Sequence, residues 1–395
     1  MPMCAFIVIA AAGNAPPPEL PLTIDGLQGW ISTTKGQFRF GDGTAIPGNG
    51  KTVEEARHVG NGAVLFSQAT ATARPTWDAN TFDVPCMRSN GTQYLTRSTS
   101  LTAPGLIVLT GSLDAPATDF EKLTGSRSTQ TPGGDPSEDA WVLQRSNFGT
   151  MRGVIGTSDA VQFADVPELL GEKLIVMLEI VGSALQVWQV GTTGEVSITG
   201  TQIAAGAEQA LMAGYYNDAI AGVLNGAVFE FLQYAPAPTR TERRDLVEYV
   251  QALLWPAVSP PTAAIIDAGQ IEQGQSKLVD VVTPSSGASL MLTSIDEPPT
   301  VGGFSVSGNS LHISVPPGAP LGSYSGWYCL RSDVAGARLV DFGRVDFEVI
   351  EGTAPQWTPP TFADGWEPAT NGSNMTWANG SNAVWRSGDN AVTGR

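Results

Sequence analysis

The stretch that decides the fold is LNGAVFEFLQYAPAPTRTERRDLVEYVQALLW, residues 224–255. Residues 224–234 contain a turn-forming Asn-Gly pair and are then rich in aromatic and β-branched side chains, which indicates a strand. Thr239 and Glu242 have the spacing of a capping box, and apolar residues then recur at helical intervals until Pro256. The sequence therefore predicts a strand followed by one helix.

The first turns of this helix carry Arg240, Arg243 and Arg244. The helix macrodipole does not favour cations at this end. Two interpretations remain for the three arginines: a docking patch, and a solvated face, which we favour.

The region before the helix has the pattern of a long antiparallel β-domain, because short apolar runs alternate with Gly, Asn and Asp turns. The predicted strands include residues 106–110, 141–145, 151–155, 174–180, 184–190 and 228–234. After the helix, a Pro-rich linker leads to a region with the pattern of about seven short strands, which predicts a smaller sandwich. One of its hairpins turns at Gly308-Asn309-Ser310.

The last segment repeats with a period of eight residues: Asn371-Gly-Ser-Asn-Met-Thr-Trp377 is followed by Asn379-Gly-Ser-Asn-Ala-Val-Trp385. Repeats this short do not bury a core alone. We therefore expect this tail to mediate oligomerisation, with a trimer as the favoured state, or docking to a partner, through Trp377 and Trp385. A flexible adhesive tip is the alternative.

The first residues include an apolar run, residues 4–12, with no Lys or Arg before Lys35. A secretory signal needs a positively charged start, and the run is too short to span a bilayer. We expect an apolar arm that packs on its own protein or on a neighbouring one, with Phe6, Ile7 and Ile9 as the contact residues.

The boundaries that follow are an N-terminal arm at 1–24, a Gly-rich attachment region at 25–57, a jelly roll with its helix at 58–256, a linker at 257–262, an immunoglobulin-like sandwich at 263–351 and a repeat tail at 352–395.

Composition excludes several function classes. The formal net charge of −17 repels phosphate backbones and anionic lipid heads, so we expect neither nucleic acid binding nor membrane insertion. Cys4, Cys86 and Cys329 are odd in number and far apart, which predicts buried free thiols and synthesis in a reducing cytoplasm. No spacing typical of a zinc site occurs, and we expect no metal and no cofactor.

Catalytic motifs are also missing from the sequence. A retaining glycosidase needs two carboxyls about 5–5.5 Å apart, which acids at i and i+2 of a strand can supply. No Glu-x-Asp occurs, and Gly322-Ser-Tyr-Ser-Gly326 has tyrosine where a hydrolase elbow needs serine. The expectation is that the chain is not an enzyme.

Residues 58–256 resemble the concanavalin A-like (laminin-G-type) jelly rolls of phage and bacterial surface proteins. The resemblance rests on residues 68–77, Phe82-Asp83, residues 91–95 and the strand and helix at 224–255, and it covers roughly half of the chain. It implies a mainly β protein. Members of this family often hold calcium through loop oxygens. Asp42 and Asp78 are the candidate ligands, but no Asp-rich loop is present.

Two weaker resemblances concern the rest of the chain. Residues 315–324 resemble the strand entry of immunoglobulin-like modules. Gly41-Asp-Gly-Thr44 after a short strand resembles a piece of phage fibre N-terminal regions. Aromatic faces that stack on sugars would come from Tyr94, Trp188, Tyr215 and Tyr216, although core packing is the usual role of such residues.

Three functions remain open. We favour a phage or prophage virion protein, such as a head fibre, spike or tail-associated adhesin, that assembles with capsid or tail proteins and binds host polysaccharide. It would be made in the host cytoplasm and displayed on the virion surface. The alternatives are a secreted bacterial lectin or adhesin, and a glycoside hydrolase.

Overall fold

The computed structural model describes residues 20–97, 105–118, 120–128, 139–145, 150–155, 162–167, 170–181, 184–190, 195–199, 206–216, 219–334, 337–352, 384–387 and 390–393. The chain divides into two compact units, residues 1–352 and residues 353–395. The first unit contains a large and a small β-sandwich, so the prediction of a mainly β protein with two sandwiches is confirmed.

The large sandwich begins with a short helix, α1 (Leu20–Thr23), and includes a 3₁₀ turn at Ala71–Ala73. Its strands are β1 (Leu27–Ser32), β2 (Phe38–Phe40), β3 (Val53–Arg57), β4 (Val64–Ser67), β5 (Thr76–Asp78), β6 (Cys86–Asn90), β7 (Leu95–Arg97), β8 (Leu106–Leu113), β9 (Lys122–Ser128), β10 (Asp139–Arg145), β11 (Thr150–Ile155), β12 (Gln162–Pro167), β13 (Lys173–Val181), β14 (Ala184–Gln189), β15 (Glu195–Thr199), β16 (Gly206–Leu211), β17 (Gly214–Tyr216), β18 (Ala219–Ala221) and β19 (Asn225–Tyr234). The six strands predicted before the helix are all present, with ends shifted by a few residues.

Two antiparallel sheets face each other in this sandwich. Within the described residues, one has the order β15-β14-β13-β8-β19-β6-β5, with β1 also paired to β19. The other has the order β12-β11-β10-β9-β16-β7-β4-β3-β2. Phe66 of β4 and Phe231 of β19, both fully buried, meet between the sheets with ring centroids 5.5 Å apart. The core of the large sandwich therefore lies between these sheets.

The predicted start of the large sandwich at residue 58 is wrong, whereas the attachment role of residues 25–57 stays a prediction. β1 joins one sheet of the large sandwich, and β2 and β3 extend the other. Phe38 and Phe40 are buried against Trp77, with ring centroids 5.0 and 5.6 Å away. These strands supply part of the sandwich core, so the domain begins before residue 58.

Helix α2 (Arg240–Leu254) has the predicted capping box. Glu242 N donates to Thr239 Oγ1 at 3.3 Å, and Thr239 N donates to Glu242 Oε2 at 2.7 Å. The apolar face of the helix packs on the outer side of the sheet that contains β19. There Tyr249 meets Trp30 of β1 edge-to-face at 6.0 Å.

The helix arginines do not form a solvated face. Arg243 and Arg244 are 6% and 5% exposed. Arg243 pairs with Glu179 of β13 in the large sandwich, whereas Arg244 binds two carboxylates of the small sandwich at 2.7 Å each. Arg240 donates to the carbonyl oxygen of Asp296. The docking-patch interpretation is the one that the contacts support: Arg240 and Arg244 dock the small sandwich, and Arg243 binds the large one.

The small sandwich follows the helix. Its strands are β20 (Ile265–Glu272), β21 (Ser276–Asp280), β22 (Leu290–Glu297), β23 (Gly303–Ser307), β24 (Ser310–Ser314), β25 (Gly322–Val334) and β26 (Ala337–Ile350). They form a sheet of order β20-β26-β25-β22 and a sheet of order β21-β24-β23. The pairing is antiparallel except between β20 and β26, which run parallel. The predicted hairpin joins β23 to β24, with Gly308 in the left-handed region at φ +60°.

Cys86 and Cys329 are buried free thiols, as predicted, and burial raises the pKa of each to about 12. Cys4 lies outside the described residues. Among the helices that the structure describes, none is long and apolar enough to cross a membrane.

The second unit contributes one described hairpin, in which β27 (Val384–Ser387) pairs antiparallel with β28 (Asn390–Thr393). Its strands come from the second and third copies of the eight-residue repeat, so these two adjacent copies pair as antiparallel strands.

Candidate functional site

A cleft of about 580 Å³ lies along the open face of the small sandwich, where β20, β26 and β25 run side by side. Its lining residues are Asp267, Gly269, Gln270, Ser323, Tyr324, Ser325, Asp346, Phe347 and Glu348. Most of these side chains are polar, and the surrounding strands belong to one rigid sheet.

Strand alternation places the polar groups of β26 in the cleft. Val345, Phe347 and Val349 are buried in the sandwich core, with at most 3% exposure. Because successive side chains of a strand point to opposite faces, Asp346 and Glu348 project together from the other face. The aromatic rings beside the cleft belong to the core, since Tyr324 and Phe347 pack on each other at 5.9 Å.

A bulge in the edge strand β20 makes the face concave. The parallel register shifts between Asp267 and Gln270, so β20 departs from β26 over two residues. Gly269 lies in the left-handed region at φ +68°, and its N–H donates to Asp267 Oδ1 at 2.7 Å. Bulges of this kind redirect side chains and are common beside functional sites.

The polar groups of the cleft are arranged in two linked pairs. Gln270 Nε2 donates to Glu348 Oε2 at 2.8 Å. Arg344 Nη2 donates to Asp346 Oδ2 at 2.9 Å, and Asp267 is the direct register partner of Asp346 across the parallel pair. Three carboxylates outnumber the two cations near them, the Arg344 guanidinium and the Lys277 ammonium, which donates to Ala268 O beside Gly269, so the cleft is negative and rich in hydrogen-bond acceptors. This lining suits a ligand that carries many hydroxyl donors and no negative charge.

Asp346 and Glu348 also form the pair of carboxyls that a search for Glu-x-Asp overlooks, because their order is Asp-x-Glu. The two residues share one face of β26, as acids at i and i+2 of a strand do. A glycoside hydrolase typically needs two such carboxyl groups for catalysis. A search for both orders of the two acids would have found it in the sequence.

The structure brings two of the four predicted sugar-stacking residues together, but as packing residues. Tyr94 and Tyr215 join Ala210 in a small apolar cluster of the large sandwich. Tyr215 is 3% exposed, so its ring has no free face for a sugar, and the prediction of a stacking role for it is wrong. Its aromatic surface is used to cover Ala210 instead.

For the other two residues, the structure describes only the strand to which each belongs. Trp188 of β14 pairs with Met177, and Tyr216 of β17 pairs with Ala219. Their side chains lie outside the described residues. Trp188 belongs to the sheet that contains β19, whereas Tyr94 precedes β7 of the opposite sheet, so the four aromatic residues do not line one sheet face.

The predicted assembly residues Phe6, Ile7, Ile9 and Trp377 lie outside the described residues. Trp385 is in β27, where it pairs with Val392 of β28. Its side chain is likewise outside the described part.

The two aspartates considered as calcium ligands have other partners. Asp42 pairs with Lys51 at 2.8 Å and accepts from Thr44, and the hydrogen bond from Lys51 is the main reason why its pKa is lowered. Asp78 accepts from the backbone N–H groups of Asn80 and Thr81, which closes a turn. Within the described ranges, no three His, Cys, Asp or Glu residues are grouped so that they would hold a metal ion.

No protein-family model and no curated protein matches the chain. Solved structures do match. Trypanosoma rangeli sialidase in complex with sialic acid is 15% identical, with a TM-score of 0.37, over 64% of this chain and 36% of that chain. Domain 4 of AbnA, a GH43 extracellular arabinanase from Geobacillus stearothermophilus, was solved with arabinotriose and is 14% identical, with a TM-score of 0.33, over 56% of this chain and 98% of that chain.

The chain spans about a third of the length of the sialidase that it matches. At this identity and TM-score the likeness concerns the all-β fold alone. Even so, the matched chains come from glycoside hydrolases, and this finding contradicts the expectation that the chain is not an enzyme. The missing Glu-x-Asp motif was too narrow a reason for that expectation, since Asp346 and Glu348 provide two carboxyls on one face.

Proposed function

We propose that the chain is a carbohydrate-binding protein of the lectin or adhesin type, whose cleft on the small sandwich binds a neutral saccharide. The observation that carries this proposal is the lining of the cleft: carboxylates, one amide and two serine hydroxyls on a rigid, concave sheet face. Saccharides present adjacent hydroxyl groups that donate to such acceptors. Specific small-molecule sites place a few polar groups on a preformed surface in this way.

The charge of the cleft argues against an anionic sugar. Among the described residues neither Asp267 nor Glu348 is in a salt bridge, Arg344 is taken by Asp346, and Lys277 at the edge of the cleft donates to Ala268 O. A ligand carboxylate would be repelled here, whereas the hydroxyls of a neutral sugar would be attracted. The proposal is therefore specific for uncharged glycans.

Calorimetric titration of the full chain tests this proposal. Arabinotriose and cellotriose serve as neutral probes, and sialyllactose serves as the anionic probe. We expect binding of at least one neutral trisaccharide and none of sialyllactose. The double variant Asp346→Asn, Glu348→Gln removes two charged acceptors and should weaken binding about tenfold or more.

The matched control is Asp333→Asn, since Asp333 is an exposed carboxylate at the opposite end of β25. Its affinity should equal that of the wild type. Lack of binding to every neutral probe, or equal affinity of the double variant and the control, would refute the proposal.

A second candidate is a glycoside hydrolase, which the Asp346–Glu348 pair favours. In a hydrolase the single variant Glu348→Gln would bind the trisaccharide within a few-fold of wild type and release no reducing sugar. In a lectin the wild type itself releases none. The same protein preparations therefore distinguish the two candidates.

The lectin or adhesin class is preferred over a virion fibre because the lining of the cleft supports saccharide binding and has no bearing on assembly into a particle. Display on a virion or cell surface, oligomerisation and attachment to capsid or tail proteins remain predictions from the sequence.

A further inference from the structure

One end of the large-sandwich core is polar. Leu95 of β7 and Phe231 of β19 belong to the apolar core between the two sheets. Arg97 and Gln233 lie two residues further along the same strands, so they point into the same space. Gln209 of β16 is the direct register partner of Arg97. All three polar side chains are buried, at positions that face the opposite sheet.

The guanidinium of Arg97 is held by amide oxygens and an aromatic ring. Its Nε donates to Gln209 Oε1 at 2.8 Å, and its Nη2 donates to Gln233 Oε1 at 2.8 Å. Its Cζ lies 4.9 Å from the ring centroid of Phe66. Among the described residues, no carboxylate forms a salt bridge with Arg97. An arginine stays charged at neutral pH, so the core contains a buried cation without a counterion, which is costly.

The atoms that lack a partner in this cluster are donors. The hydrogen bonds of Arg97 all start from Nε and Nη2, which leaves the two N–H groups of Nη1 without an acceptor among the described residues. The amide nitrogen of Gln233 is buried and also has no partner there. Because Oε1 of the same amide faces Nη2, this nitrogen lies beside the guanidinium. The cluster therefore has surplus donors and a surplus positive charge.

Gly29 leaves a space next to these donors. It lies on β1 as the direct register partner of Gln233, and it has no side chain to fill the core at this point. A Cβ atom on residue 29 would be 3.5 Å from Arg97 Nη1 and 3.3 Å from Leu65 Cδ1. The missing side chain therefore leaves a small space that Nη1 borders on one side and Leu65 on the other. Burial lowers the pKa of Arg97 to about 10, as expected for a cation that has lost water and gained no opposite charge.

We propose that the space beside Gly29 is a binding site for a small monovalent inorganic anion such as chloride, bound by Arg97 Nη1 and Gln233 Nε2. A halide ion supplies what the cluster lacks, because it accepts several N–H donors and neutralises the buried charge. A water molecule would accept the same donors but leave the charge uncompensated. The site lies in the large sandwich and does not depend on what the cleft of the small sandwich binds.

Urea unfolding of the full chain at pH 7 tests the anion site. Sodium chloride replaces sodium isethionate, whose anion is too large for the space, at a constant ionic strength of about 0.2 M, so that general screening stays the same. The wild-type equilibrium constant of unfolding should fall about tenfold in chloride, as a dissociation constant of about 20 mM would give. Arg97→Gln removes the charge and Gly29→Ala fills the space, so each should respond less than about twofold.

Each variant has a matched control. Arg39→Gln removes an arginine whose side chain is 48% exposed. Gly303→Ala adds a Cβ where no atom lies within 4 Å. Both controls should keep the wild-type response to chloride. Equal stability of wild type in the two salts would overturn the anion site, and so would a full response that persists in Arg97→Gln or in Gly29→Ala.

Diffraction from wild-type crystals grown in sodium bromide gives a readout that needs no variant, and it decides the proposal where Arg97→Gln and Gly29→Ala do not fold. Bromide scatters anomalously, and we expect an anomalous peak within hydrogen-bond distance of Arg97 Nη1. Density for a water molecule at this place, or no density at all, would overturn the anion site.

Discussion

The side-chain amide of Gln251 binds both backbone groups of Val340. Val340 N donates to Gln251 Oε1 at 2.6 Å, and Gln251 Nε2 donates to Val340 O at 2.9 Å. One helical side chain thus takes the place of a neighbouring strand at this point of β26. Both residues are buried, with exposures of 2% and 0%, so no water can substitute for either bond.

Replacing Gln251 by alanine should therefore destabilise the whole first unit. The substitution leaves a buried N–H and a buried C=O of Val340 without partners, which costs about 1–3 kcal/mol per group. We expect the free energy of unfolding in urea to fall by about 2 kcal/mol or more. Gln275→Ala, at an exposed position of the same sandwich, should change it by less than about 0.5 kcal/mol. Equal effects of the two variants would show that the amide does not hold β26.

The second prediction concerns Arg244. Its guanidinium stacks over Trp327 at 3.9 Å from the ring centroid, and its Nε and Nη2 atoms donate to Asp296 and Glu297 at 2.7 Å. Lysine keeps the charge but loses the planar fork and the stacking. Arg244→Lys should lower the free energy of unfolding by about 1–2 kcal/mol. Arg39→Lys, in which the arginine side chain is 48% exposed, is the control and should have little effect.

The third prediction concerns the buried carboxyl of Glu230. It accepts from Trp30 Nε1 at 3.0 Å and from Ser32 Oγ at 2.7 Å, and burial raises its pKa to about 8. The folded protein keeps this proton up to about pH 8, whereas the unfolded chain releases it near 4.5. Stability should therefore fall as pH rises between these values, with a slope of at most about 1.4 kcal/mol per pH unit.

Glu230→Gln removes the titrating proton but keeps a planar acceptor for Trp30. Urea unfolding at pH 5, 6, 7 and 8 should give a flatter profile for this variant than for wild type. Asp280→Asn is a matched control because Asp280 is a fully exposed carboxylate. A wild-type profile and a variant profile with the same slope would mean that Glu230 is charged in the folded state.

The sequence predicted the elements that depend on neighbouring residues. Helix α2 was predicted because its capping box, its apolar spacing and Pro256 are all local signals. The strands around residues 106–113 and 225–234 were predicted because central strands are rich in apolar and β-branched residues. The mistaken boundary at residue 58 has the opposite explanation: β2 and β3 have only three and five residues, with a Gly-rich segment between them, and they join the large sheet only through β4, which pairs with β7.

The candidate site was missed for a similar reason. Asp267 reaches Asp346 only because β20 runs parallel to β26, and no local pattern indicates which strands pair. The role of Arg244 could not be predicted from the helix either. Its partners, Asp296 and Glu297, lie about fifty residues further along the chain, and only the fold brings them to the helix. Asp346 and Glu348 are the exception, because their spacing on one strand was visible in the sequence.

The last prediction concerns the tail. Trp385 of β27 lies opposite Val392 of β28 in a hairpin made from two copies of the eight-residue repeat. A two-stranded hairpin is marginally stable by itself in water, so repeats of this kind need a partner surface. We expect the full chain, 41.3 kDa per copy, to be an oligomer in light scattering, with a trimer favoured, and a chain lacking residues 353–395 to be a monomer with the first unit still folded.

The double variant Trp377→Ser, Trp385→Ser tests the contribution of these two tryptophans while the rest of the tail is kept. If these side chains form the contact, the double variant should also be monomeric. Loss of a tryptophan side chain from a well-packed core costs about 3–5 kcal/mol, and two such losses should abolish the interface. Trp366→Ser, outside the repeat, is the control and should keep the oligomer. If the full chain and the truncated chain have the same oligomeric state in solution and the same partner binding, the tail is not an assembly element and the adhesive-tip alternative stands.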